Sequence, residues 1–144
     1  MMPGSVAPDE LLARYIIYKK WIRSSNQTVK PDAFIPPENP LELSVTRHVN
    51  LTENDIWSIG RGIAGSISRT LHGRADVESG HVIAQGLSVI PQPVLDNPNH
   101  ALDNPNHANI VGWPLEKDAR KMYALEIAKV ARFVVNPEAG AQTP

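Results

Sequence analysis

From Leu41 the chain alternates, with Leu43 and Val45 following at every second position and Glu42, Ser44 and Thr46 between them. This period of two predicts a strand with one buried face. The period then lengthens: Ile56, Ile59, Ile63 and Ile67 recur at helical spacing, with Trp57 and Ala64 beside them. Thr52 and Asp55 stand in capping-box positions, and Leu51 and Ile56 stand in staple positions, so a helix starts here. Leu11, Leu12, Tyr15, Ile16 and Ile22, after Pro8-Asp9-Glu10, predict a first helix over 9–24. The aromatic and β-branched residues of 15–22 keep a strand open there.

Asp76 can cap a shorter helix through Val77, Val82 and Ile83, stopped by a left-handed Gly86. Strands are expected at 87–90 and 109–113, paired with each other. Leu115, Ala119, Met122, Tyr123, Ile127, Val130 and Phe133 or Val134 follow a helical period and predict a closing amphipathic helix. This order predicts an α+β fold, a small mixed or antiparallel sheet of about three strands covered by amphipathic helices.

The 144 residues fit one domain spanning 1–144. Proline clusters mark a connector over 26–40 and a loop over 91–108, and a flexible tail is expected over 136–144. The loop carries an identical duplication, Leu-Asp-Asn-Pro-Asn-His-Ala at 95–101 and again at 102–108. Doubling a flexible loop adds only about 0.6 kcal/mol of closure entropy, so a tolerated insertion is the expected origin.

Charge and composition narrow the function classes. The formal net charge of -1 provides no global field for nucleic acid or anionic lipid, so such a partner needs a local patch. The absence of cysteine excludes disulfides, thiolate zinc sites and cysteine nucleophiles. Residues 1–10 show no basic stretch leading into an apolar one, and no run approaches the length of a membrane span. A cytoplasmic protein without a membrane span is expected.

Lys30-Pro31-Asp32-Ala33-Phe34, Leu43-Ser44-Val45, Ile56-Trp57, His107-Ala108-Asn109-Ile110 and Gly112-Trp113-Pro114 together resemble a pattern in small uncharacterised bacterial proteins. The resemblance spans much of 30–114 and implies a bacterial stand-alone domain. It implies no activity and no catalytic residue.

Gly60-Arg61-Gly62-Ile63-Ala64-Gly65 matches a dinucleotide fingerprint, but it lies inside a capped helix instead of between a strand and a helix. Close helix packing, or a break in the helix, is the expected reason for its small residues. Asp96 with His100 and Asp103 with His107 repeat potential metal ligands, yet duplication copies ligands without regard to binding, so no metal is expected. His72, Asp76 and His81 match no metal signature and read as a solvated connection.

No complete catalytic set is present, so the leading expectation is a non-catalytic binding or protein-interaction module, with another protein or a second copy as partner and no cofactor. Arg14, Tyr18, Lys19 and Trp21 are its candidate partner-binding residues. One alternative is a small enzyme or an anion- or nucleotide-binding protein in which Arg47, His48, Arg74 and His107 converge: arginine offers bidentate donors, and histidine transfers protons near neutral pH. Another is nucleic-acid binding through helix 9–24, where basic and aromatic residues interleave, although the balanced total charge weighs against it.

Overall fold

A computed structural model describes residues 5–95 and 103–138 of the chain. Eight strands are found among them: β1 (Leu11–Ile16), β2 (Ile22–Arg23), β3 (Thr28–Val29), β4 (Leu43–Arg47), β5 (Gly73–Glu78), β6 (Ser88–Pro91), β7 (His107–Val111) and β8 (Arg132–Val135). The helices are α1 (Glu53–Ser66), α2 (Ser79–Ala84) and α3 (Lys117–Val130). Six strands form one antiparallel sheet in the order β6-β7-β4-β1-β5-β8, and β2 and β3 form a separate hairpin. The expected sheet of about three strands is therefore corrected to a six-stranded sheet plus a hairpin.

Most of this difference comes from the centre of the sheet. Residues 9–24 are not a helix. Leu11–Ile16 is a central strand paired with β4 on one side and β5 on the other, followed by a 3-10 turn over Lys19–Trp21. A strand covered on both faces carries apolar residues on both, so its alternation disappears and its spacing imitates a helix. Residues 73–78 are not a solvated connection either. They form β5, hidden from polarity patterns because Arg74 and Asp76 are buried within it. Phe133 and Val134 belong to the edge strand β8, since the chain leaves α3 at Ala131 in an extended conformation.

Register sorts the side chains into two layers. Leu12, Leu43, Val45, Ala75, Val77, Ala108 and Ile110 share one core with Phe34, Trp113, Ala124 and Ile127, which come from the α3 side. Ala13 and Tyr15 face the other way and pack on Ile56, Trp57 and Ala64 of α1. Met122 and Val130, expected on the apolar face of α3, are exposed, whereas Ile127 is buried there as expected, together with Ala124. Local grammar is reproduced where it was strongest. Thr52 Oγ1 accepts from the Asp55 amide at 3.1 Å, the Asp55 carboxylate accepts from the Thr52 amide at 3.0 Å, and Gly86 stands at φ 93° just beyond α2. β6 and β7 pair as expected.

The second copy of the duplicated segment carries a structural role. Asn106 Nδ2 donates to the carbonyls of Arg47 and Val49 at 2.7 and 2.6 Å, and Asn104 Nδ2 donates to Thr46 Oγ1 at 2.9 Å. Val94 and Asn104 exchange both backbone hydrogen bonds, at 2.9 and 2.8 Å. Asp96 and His100 of the first copy lie outside the described residues. Removing residues 95–101 leaves Leu102 and Asp103 between Val94 and Asn104, the length of a two-residue hairpin loop. The deletion variant is expected to melt within about 5 °C of the parent protein, a larger loss contradicting the insertion reading.

The glycines of α1 give a second expectation. A Cβ at Gly60 would lie 2.6 Å from the Tyr15 ring, whereas one at Gly65 would meet nothing within 4 Å. Gly60→Ala should cost about 1–3 kcal/mol through overpacking, and Gly65→Ala should stabilise by about 0.5–1 kcal/mol. Thermal denaturation of both variants checks this, and equal melting points would refute the packing role of Gly60.

Candidate functional site

Arg47 ends β4 on the face opposite α1 and is fully buried. Its Nε and Nη2 donate to the two carboxylate oxygens of Glu10, each at 2.8 Å, and Nη2 also reaches the Ser5 carbonyl at 3.2 Å. This bidentate pair brings the segment before β1 against the sheet. The hydrogen bond from Arg47 holds the Glu10 carboxyl below its usual range, against the opposing effect of burial and with help from the Ala7 amide.

His48 and Arg74 meet on Asp76. His48 Nε2 lies 3.0 Å from Asp76 Oδ1, and Arg74 Nε donates to both Asp76 oxygens at 3.0 and 3.1 Å. Arg74 Nη2 donates to Glu53 at the start of α1, and its guanidinium carbon sits 4.7 Å over the Trp57 ring. Burial opposes the Arg74 charge, and the hydrogen bonds and charges of Asp76 and Glu53 outweigh it, so its pKa is raised. Two carboxylates on one guanidinium leave no net positive field for an incoming anion.

His107 begins β7, opposite Thr46, and its Nδ1 lies 2.8 Å from the Gln92 carbonyl. The cross-strand row His107, Thr46, Ala13, Asp76 spans three strand intervals, which puts His107 about 14 Å from Asp76 along the sheet. The four nominated residues thus divide into three places: Arg47 on one face, His48 with Arg74 on the other, and His107 beyond Thr46. They do not form one site.

Arg14, Tyr18, Lys19 and Trp21 do fall together. β1 and β4 pair only at Leu12 with Arg47 and Ala13 with Thr46, and beyond that fork Arg14 donates to the Ser44 and Ala33 carbonyls at 3.1 and 2.8 Å. Burial lowers the pKa of the Arg14 guanidinium to about 10, still protonated at neutral pH. Its guanidinium carbon lies 5.4 Å from the Trp21 ring. Tyr18 meets Trp21 edge to face at 4.7 Å, and Arg69 and Lys20 approach the Tyr18 ring at 4.5 and 5.6 Å.

The sequence between Glu10 and Asp32 contains five cations, Arg14, Lys19, Lys20, Arg23 and Lys30, and no acidic residue. None of the five, nor Arg69, forms an ion pair among the described residues. The signal for this lobe was legible as a run of basic and aromatic residues, against which the near-zero total charge weighed. Glu10, Asn104 and Asn106 were missed as partners because their roles depend on residues 37 or more positions away.

No protein family, curated protein or solved structure matches the chain in comparison. No helix among the described residues is long and apolar enough to cross a membrane, and no three described His, Asp or Glu side chains are grouped to hold a metal ion.

The sign of the Glu10 shift gives a pH expectation. A carboxyl whose folded pKa is depressed stabilises fully above its unfolded value, near 4.5, and loses that contribution as pH falls through the lower folded value. Glu10→Gln should cost up to about 3–5 kcal/mol at neutral pH, the range for breaking a buried pair. Urea unfolding should show the gap from wild type closing below about pH 4.5, and a gap unchanged down to low pH would exclude the ion pair as its cause.

Proposed function

We propose that this protein is a non-catalytic binding module whose ligand is a single-stranded nucleic acid, engaged by the lobe built from the end of β1, the 3-10 turn and the β2–β3 hairpin. The observation that carries the reading is the contrast in charge compensation. Arg47, His48 and Arg74 are matched by Glu10, Asp76 and Glu53 inside the fold, whereas the cations of the lobe have no carboxylate partner among the described residues.

Charges without partners attract phosphates, and counterion release then drives association. Tyr18 and Trp21 add ring surface among the cations, the combination used where single strands are bound without strict sequence preference. The near-neutral total charge does not oppose this, because a Debye length of about 8 Å at physiological salt lets a phosphate respond to the local lobe more than to the distant acidic surface.

Fluorescence anisotropy with a labelled single-stranded oligonucleotide tests the reading. Affinity should fall as salt rises, and Lys19→Ala combined with Lys20→Ala should flatten the slope of log affinity against log salt by about 1.4, or 0.7 per lost phosphate contact. Absence of binding in low salt, or binding indifferent to salt, would overturn it.

A further inference from the structure

A cavity of about 300 Å³ adjoins the lobe, between the β2–β3 hairpin and the edge strand β8. Its volume is at the lower end of the range for small-molecule sites. Ile22 and Phe133 contribute apolar surface, and Gln27, Ser24 and His72 contribute hydrogen-bonding groups. Lys19, one of the lobe cations, belongs to the same lining and joins the cavity to the basic surface. We infer that this cavity receives one base of the bound strand, held between Ile22 and Phe133 and hydrogen-bonded along its edge by Gln27 and His72, while Lys19 meets the adjoining phosphate. This inference rests on the nucleic-acid reading above and adds the subsite to it.

Two observations favour an edge-reading site over a solvated hollow. The His72 ring makes no hydrogen bond among the described residues. Burial, then the Lys19 charge, lowers its pKa, so at neutral pH the ring is a neutral imidazole with one donor and one acceptor. That pair complements the mixed donors and acceptors of a base edge, whereas an imidazolium would present donors alone.

Gln27 is the second. It turns the hairpin at φ 54°, a left-handed conformation that glycine adopts without strain and that a side chain occupies at a cost. Its amide makes one long contact, 3.4 Å to the Ser24 carbonyl, and so gains little locally in return. A glutamine in a glycine position, lining a cavity, is what a side chain required for a ligand looks like.

The test compares an ordinary single-stranded oligonucleotide of about 12 nucleotides with a length-matched strand of abasic sites, by anisotropy with the full-length protein. The ordinary strand should bind about fivefold or more tightly, the effect of stacking one base. His72→Ala and Gln27→Gly should each shrink that preference severalfold, leaving the part due to Tyr18 and Trp21, with the salt slope in place. Gln27→Gly also removes the backbone strain, so its melting temperature should rise, which separates lost binding from lost folding. Equal affinity of the wild type for both strands, or a preference undiminished by both substitutions, would overturn the base pocket and leave the polyanion reading standing. If neither strand binds in low salt, the reading on which the pocket rests has failed.

Discussion

An arginine inside a sheet must be compensated by a carboxylate or by hydrogen bonds to carbonyls, because an uncompensated charge in a medium of low polarity costs several kcal/mol. Two arginines occupy such positions here, Arg47 at the end of β4 and Arg74 in β5, both almost completely buried. Each fixes a neighbouring element in place. Glu10 must reach Arg47, which holds the chain before β1 against the sheet, and Glu53 must reach Arg74, which sets the start of α1 over Trp57. Asp76 completes the second group and brings His48 to it. The central strand β1 lies between β4 and β5, so both charge groups flank the same strand.

This compensation also bears on function. The buried Arg47 and Arg74 that an anion might have met within the fold are already held by carboxylates of the same chain. Five cations without ion-pair partners among the described residues fall in a lobe whose sequence contains no acidic residue between Glu10 and Asp32. A chain can have almost no net charge and still present a strongly basic surface, provided that its acidic residues lie elsewhere. Total charge is therefore a poor guide to partners when the two signs are segregated along the sequence.

The duplicated segment shows how continuity with a strand separates identical sequences. Both copies carry the same asparagines and histidine, but the second runs directly into β7, whose residues pair with β4 and β6 on either side. Exchanging the copies would put seven extra residues between Ala108 and Asn109, inside a strand paired on both edges. The ladder would be interrupted there, so the additional length belongs upstream of Asn104. Asn104 and Asn106 consequently hold β4, as anchors for Thr46, Arg47 and Val49.

Local chemistry settled what depends on a few neighbouring residues. The alternation around Leu43 and Val45, the capping box of Thr52 and Asp55, the left-handed Gly86 and the hairpin pairing of β6 with β7 were all legible, because each involves either hydrogen bonds within a turn or one simple period. The six-stranded sheet was not, because β1 is buried on both faces and loses its alternation, and β5 carries charges that make sense only beside Glu53 and His48. The basic residues of the lobe were visible in the chain, yet reading them as one helix obscured that they surround Tyr18 and Trp21 near a cavity shared with β8. Tertiary structure alone decided which charges are neutralised and which remain available, since a carboxylate compensates an arginine by distance in space and not by distance along the sequence.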